Sequence, residues 1–413
     1  MRQSVVTPEV AKVVAGLQQH PTVKKMMDYI EQDAARTQKE QKELVLVEAP
    51  TFHEEARGKV FAEYLKANGL VDVEIDEDGN VFGFIRGTGK GPTVLIEGHM
   101  DTVFSFGDTT EVIEKDGLLH APGICDDTRG LAAVLSVARS ILENNIELIG
   151  DVMVGGTVAE EGLGGLSGMR KLLLRYPFIT SCVSLDGAGH DGITFEATGM
   201  RNYSVTYTGP GGHAYGKFGT PNPNSAVGRA VTLINDMDVP TDPKTTYAVS
   251  FIEGGHQIHS IAQRANFKIN MRSVSALELD KLTERFIHCC HEGARLENER
   301  WGQPGVVKVE LERILDVPAG TQDKDAPIVQ LAWEVTKAMG ATPELNFGGC
   351  TNASQAVDLK IPGICIGGGG EAGGVHSLQE WYDPTDDHIG VQRAAFIVLA
   401  LAGVKGIVEP LIK

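Results

Sequence analysis

The stretch TVLIEGHMD, residues 93–101, decides the fold. A Gly-Lys-Gly-Pro turn precedes its apolar run, and two polar side chains, His99 and Asp101, close it. A short apolar run bounded by turn residues reads as a strand buried on both faces. Side chains alternate along a strand, so His99 and Asp101 are directed to the same side of its end. Working outward, DVMVGGTVAEE (151–161) runs into Glu160 and Glu161, and SCVSLD (181–186) runs into Asp186. Helical patterns lie between these runs, at about 130–143 and 166–176. Strands alternating with helices predict an α/β fold with a mixed, largely parallel sheet and helices on both faces. Ligands of such sheets collect outside the carboxyl ends of the strands, so the three polar strand ends are expected to share one site.

Upstream, the spacing predicts helices over 7–47, with Pro21 starting a second one, and over 52–68, stopped by Gly69. A strand pair follows, VDVEID and NVFGFIRG, joined by a Glu-Asp-Gly-Asn turn. Downstream of Gly199 the pattern changes to four strands and two helices, an α+β unit placed at 200–316, after which 317–413 returns to the domain begun by 1–199. At about 150 residues per domain, 413 residues agree with that division.

With 37 Lys and Arg against 55 Asp and Glu, the net charge is -18, which repels nucleic acid and anionic membrane surfaces. No apolar run of 18 residues spans a bilayer and the N-terminus lacks a leader-like apolar stretch, so a cytoplasmic protein is expected. The six cysteines are scattered without Cys-x-x-Cys spacing, which argues for reduced thiols and against a thiolate zinc site. His288, Cys289, Cys290 and His291 are adjacent on a predicted helix, point in different directions, and read as packing and surface.

Taken singly, each polar strand end has a bland explanation. His99 and Asp101 suit a surface turn, and Asp126–Asp127 suits a helix N-cap with its dipole partner. Two acids beside a buried strand end, as at Glu160–Glu161, repel unless a cation or a proton intervenes. Together, His99, Asp126, Glu160, Glu161, Asp186 and His376 make an oxygen- and nitrogen-rich site suited to divalent metal. Two ions sharing a carboxylate would polarise an amide carbonyl and acidify a water, leaving Glu160 or Glu161 to move protons.

The ordered series EGHMDTV, PGICDDTRG, TVAEEGLGG, SLDG, GPGGHAYG and GGVHSLQEW resembles the zinc-dependent exopeptidase and deacylase family. That family includes peptidase T, the glutamate carboxypeptidases, aminoacylases, acetylornithine deacetylase and succinyl-diaminopimelate desuccinylase. Carried over residue by residue, the resemblance implies two zinc ions, with cobalt or manganese as alternatives. His99 and Asp186 would bind one, Glu161 and His376 the other, and Asp126 would bridge them. It further implies that Asp101 orients His99, that Glu160 is the general base, and that the Asp126–Asp127 peptide is cis. The inserted unit would be a lid that dimerises, carrying His213 to the partner's active site and Arg272 to a substrate carboxylate. Asp186, where several deacylases have Glu, tilts the expectation toward a peptidase of small peptides over an N-acyl-amino-acid deacylase. A metal-lacking binding or assembly protein is disfavoured because all ligand positions and the base are present.

Two departures bear on substrate. His259-Ser260-Ile261-Ala262 stands where relatives usually read Asn-x-Ile-Pro, and Cys350-Thr351-Asn352-Ala353-Ser354 where they read Ser-Thr-Asp-Ala-Asn. His259 and Asn352 are therefore candidate substrate contacts. The glycine-rich GGGGEAGG (367–374) is expected to let backbone approach substrate beside His376.

Overall fold

The computed structural model describes residues 6–412, so the reading of the N-terminus falls partly outside the described residues. The chain divides into two units, 1–197 with 321–413, and 198–320.

In the first unit an eight-stranded sheet runs in the order Val71–Ile75, Val81–Ile85, Asp151–Thr157, Thr93–His99, Ile179–Leu185, Gly363–Ile366, Gly192–Thr194, Glu344–Asn346. Thr93–His99 pairs in parallel with Asp151–Thr157 and with Ile179–Leu185, which pairs in parallel with Gly363–Ile366. The hairpin at 71–85 joins antiparallel. Alternation along the central strands explains why both faces must be covered. Val94, Ile96, Val152 and Val154 enter one core with Leu131, Val134 and Phe396, while Leu95 and Met153 enter another with Met169, Leu172 and Ala356. Helix Thr128–Glu143 is buried over nearly its whole length and lies against the Thr93–His99 strand. Gly69, at φ +86°, follows helix Glu55–Ala67 and permits the turn that ends it.

The second unit is a four-stranded antiparallel sheet, Thr245–Gly254, Arg264–Ser273, Gly199–Thr208, Lys308–Val317. Helices Pro223–Asn235 and Ala276–Arg300 share a core with it, around Tyr207, Phe267, Phe286 and Cys290. The unit runs from 198 to 320, and within it Lys308–Val317 pairs with Gly199–Thr208 from Lys308 opposite Thr208 to Val317 opposite Met200, with one irregularity between Arg313 and Leu315. Cys289 and Cys290 are packing residues of this core.

Candidate metal centre

Three parallel strands of the first unit, Thr93–His99, Asp151–Thr157 and Ile179–Leu185, bring polar residues at or just beyond their ends to one place. His99 closes the strand Thr93–His99, and its Nδ1 lies 3.0 Å from the backbone carbonyl of Asp101. That contact leaves Nε2 facing Asp126 Oδ1 at 2.9 Å. The other oxygen of the same carboxylate, Oδ2, lies 2.9 Å from His376 Nε2, which is also 2.9 Å from Glu161 Oε1. Asp126 thus turns one oxygen to each of two histidines. His99, Asp126 and Asp186 present atoms within 4.8 Å of one another, as do Asp126, Glu161 and His376, and as do His99, Glu160 and Glu161. The Asp126–Asp127 peptide is cis.

The electrostatics show what the cluster lacks. Burial pushes the Asp186 carboxyl up to about 7, with Asp126 adding to the rise. Burial likewise raises Glu160 and Glu161; His99 pulls both back, and neighbouring carboxylates push them up again. His99 is drawn down by burial but ends well above the usual imidazole range because Asp101 and Asp126 favour its charged form. His376 is carried to about 9 by its bond to Asp126. Carboxylates therefore outnumber cations in a buried space, and each disfavours its neighbour's charge. Divalent ions would supply the missing positive charge, and imidazole nitrogen with carboxylate oxygen is a donor set that suits them. The residues present fit a pair of divalent ions.

Asp101 lies beside the His99 ring. Its carboxylate is 3.5 Å from His99 Nδ1, and the shorter contact to the ring is its backbone carbonyl. The carboxylate also accepts from the Glu160 and Glu161 N–H groups, both at 3.0 Å, and so fixes the peptide that carries the two acids. Asp127 is an N-cap as the plain reading had it, accepting from Gly130 N, and also accepts from His99 N and Gly187 N. A Cβ at Gly98 would lie 2.8 Å from Asp127 Oδ2, and one at Gly130 would lie 2.4 Å away, so both glycines leave room for that carboxylate.

Two expectations are corrected. Asn352 is 3% exposed, and its amide donates to Glu97 Oε2 and Thr157 Oγ1 at 3.0 and 2.7 Å. It is an interior tie rather than a group held out to substrate. Glycines 367, 369 and 370 serve close backbone packing: a Cβ would lie 2.1 Å from Ala188 O, 2.0 Å from Asp387 O and 2.5 Å from the Tyr382 hydroxyl. Sequence reasoning also missed buried Arg129, which donates to Asp387 and to the Gly368 carbonyl, and buried Glu380, for neither of which the local pattern carries a signal.

In the second unit His213 is exposed, at the end of the short strand Gly212–His213, opposite Ser260 of Ser260–Ile261. Its Nδ1 accepts from Gly216 N at 3.2 Å, and the neighbouring Ala214 N donates to the carbonyl of exposed His259. Arg272 is exposed on Arg264–Ser273, with its Nε donating to Asn270 Oδ1 at 3.1 Å.

Residues 95–400 match peptidase family M20/M25/M40. The chain belongs to that family. It is accordingly a hydrolase of the metal-dependent peptidase and amidohydrolase class. The uncharacterized protein YgeY of Escherichia coli K12 is 35% identical over 112 residues, 25% of this chain, and the match spans only 27% of YgeY. A tripeptidase from Staphylococcus aureus superposes with a TM-score of 0.74 at 21% identity, covering 88% of this chain and 97% of its own. A dinuclear metal-binding M20 peptidase from Bacillus subtilis superposes at 0.66 with 16% identity, covering 90% and 99%. These likenesses show the fold. Among the described residues no helix is long and apolar enough to cross a membrane.

Proposed function

We propose that this M20 member is a dinuclear exopeptidase that cleaves the amide bond of small peptides, with Glu160 as general base. The observation that carries the reading is Asp126, whose two oxygens lie 2.9 Å from the Nε2 atoms of two different histidines. A carboxylate so placed suits a bridge, with His99 and Asp186 on one side and Glu161 and His376 on the other. Zinc pairs with such donors, as do cobalt and manganese; bound there, two ions would polarise the scissile carbonyl and acidify the attacking water.

The chain's own groups do the rest. Asp101 holds the Glu160–Glu161 peptide through both N–H groups, which positions the Glu160 carboxyl. Glu160 takes the proton of the attacking water as the carbon–oxygen bond forms and returns it to the amine nitrogen as the carbon–nitrogen bond breaks. Its raised pKa, set first by burial, suits a group that holds a proton between the two transfers. His213, accepting one backbone bond at Nδ1, keeps its other ring nitrogen for the developing oxyanion, and Arg272 suits a substrate carboxylate. The second unit is proposed to be the lid and dimer contact, with His213 acting in the partner's site. The unpaired thiols of Cys125, Cys182, Cys289, Cys290 and Cys365 support a cytoplasmic setting.

Asp186 in place of glutamate favours peptides over N-acyl-amino acids. Steady-state assays of the zinc-loaded protein on di- and tripeptides beside acetyl-amino acids test this. A kcat/KM higher for peptides is expected, and a preference for acetyl-amino acids would assign the deacylase reading instead.

A further inference from the structure

We infer that Glu380, which is not among the ligands, is a positioning residue that sets the bridging Asp126 and through it both metal positions together. The inference rests on the dinuclear reading above. Glu380 is fully buried, and its partners are backbone groups of a single turn. Oε1 accepts from Cys125 N at 2.8 Å and Asp126 N at 3.1 Å, and Oε2 accepts from Gly123 N at 2.9 Å. A carboxylate accepts without donating, so it can satisfy convergent N–H groups that no neutral side chain of the same shape could satisfy together. Burying that charge is costly unless each bond is made, which is why the turn and the carboxylate define one another's positions.

The chain connects this carboxylate to the centre from a second direction. Glu380 follows His376 by four residues and precedes the strand Trp381–Asp383. Trp381 pairs with His120 and Tyr382 with Leu119, of the strand Leu118–His120 that leads into the Asp126 turn. The turn carrying the bridge and the segment carrying His376 are therefore joined at a strand pair and again at Glu380. Asp126 faces His99 through one oxygen and His376 through the other, so a tilt of its backbone moves both contacts. Changing Asp186, by contrast, touches one triad, and changing Glu161 leaves the contact of Asp126 with His99 in place.

The test is metal binding to the chelator-stripped full-length protein, by calorimetric titration of zinc with a competing chelator and by the absorption spectrum of the cobalt-loaded form. Glu380→Gln keeps the shape but turns an NH2 group against at least one of the N–H donors. Both ions should weaken together by about 10- to 100-fold, the range for groups that orient metal ligands, and the cobalt spectrum should change. Glu380→Asp keeps the charge but withdraws it by one methylene, and should weaken both ions as well. If Glu380→Gln fails to fold, Glu380→Asp decides alone. Weakening of one ion only, or wild-type affinities and spectrum in Glu380→Asp, would overturn the assignment. If the wild-type protein binds fewer than two ions, the dinuclear reading fails first, and the two failures are thereby distinguished.

Discussion

His99 is 2% exposed and has Asp101 and Asp126 at bonding distance, whereas His213 lies on the surface of its own unit with one bond from Gly216. The same contrast separates buried Arg129, held at three bonds to Gly368 and Asp387, from exposed Arg272, which donates to a neighbouring asparagine. Apart from His376, which is half-exposed, the groups of the candidate centre are largely desolvated and tied on several sides, which a small donor set for metal demands. Groups proposed to meet substrate are left with free hydrogen-bonding capacity. Damage to the metal-facing residues of the first unit should therefore travel through the metals, damage to Glu160 should spare them and act on proton transfer, and damage in the second unit should leave them alone.

The severest way to probe that contrast is Asp126→Ala, which removes the shared carboxylate. Both ions should be lost by elemental analysis, and activity should fall to background; retention of one ion would show that Asp126 is not a bridge. Next comes Glu160→Gln, expected to keep both ions while kcat falls by about two to four orders of magnitude. Glu161→Gln should instead weaken one ion, and exchanged phenotypes would reverse the two roles.

In the second unit, His213→Ala should leave metal content unchanged and lower kcat by about 100- to 1000-fold, as for one lost oxyanion donor. Mixed with Glu160→Gln chains it should regain activity by forming a heterodimer with one intact site. A mixture that stays inactive, with heterodimers verified by mass, would place His213 in its own chain's site. The smallest effect is expected from Arg272→Ala. Stability should change by no more than about 0.5 kcal/mol, as for exposed positions, while KM rises for substrates with a free carboxylate. A Tm shift without a KM shift would make Arg272 a structural residue.

Part of the candidate centre was legible in the chain because His99, Glu160, Glu161 and Asp186 sit at ends of apolar runs. TVLIEGHMD, DVMVGGTVAEE and SCVSLD each show where a buried strand gives out, and parallel pairing brings such ends to one edge of the sheet without any distance being known. Asp127 was legible only as an N-cap, because a cap is a local bond; its bonds to His99 N and Gly187 N join separate strands. Asn352 was read as a substrate contact from its place in a motif, and nothing nearby in sequence reveals that Glu97 and Thr157 hold it inside. The glycines at 367–370 were misread for the same reason, since what crowds them is backbone from 188 and 387 and the Tyr382 ring.

The amino-acid sequence by itself determined the α/β order of elements, the ligand-type residues at the strand ends and the inserted α+β unit, because apolar periodicity and turn chemistry are properties of short windows. Tertiary structure alone decided which oxygen of Asp126 faces which histidine, that Asp101 holds the Glu160–Glu161 peptide, and that Glu380 accepts from a turn 254 positions away. Those bonds depend on where distant segments meet after the sheet has closed over its cores, and no short window of sequence carries that distance.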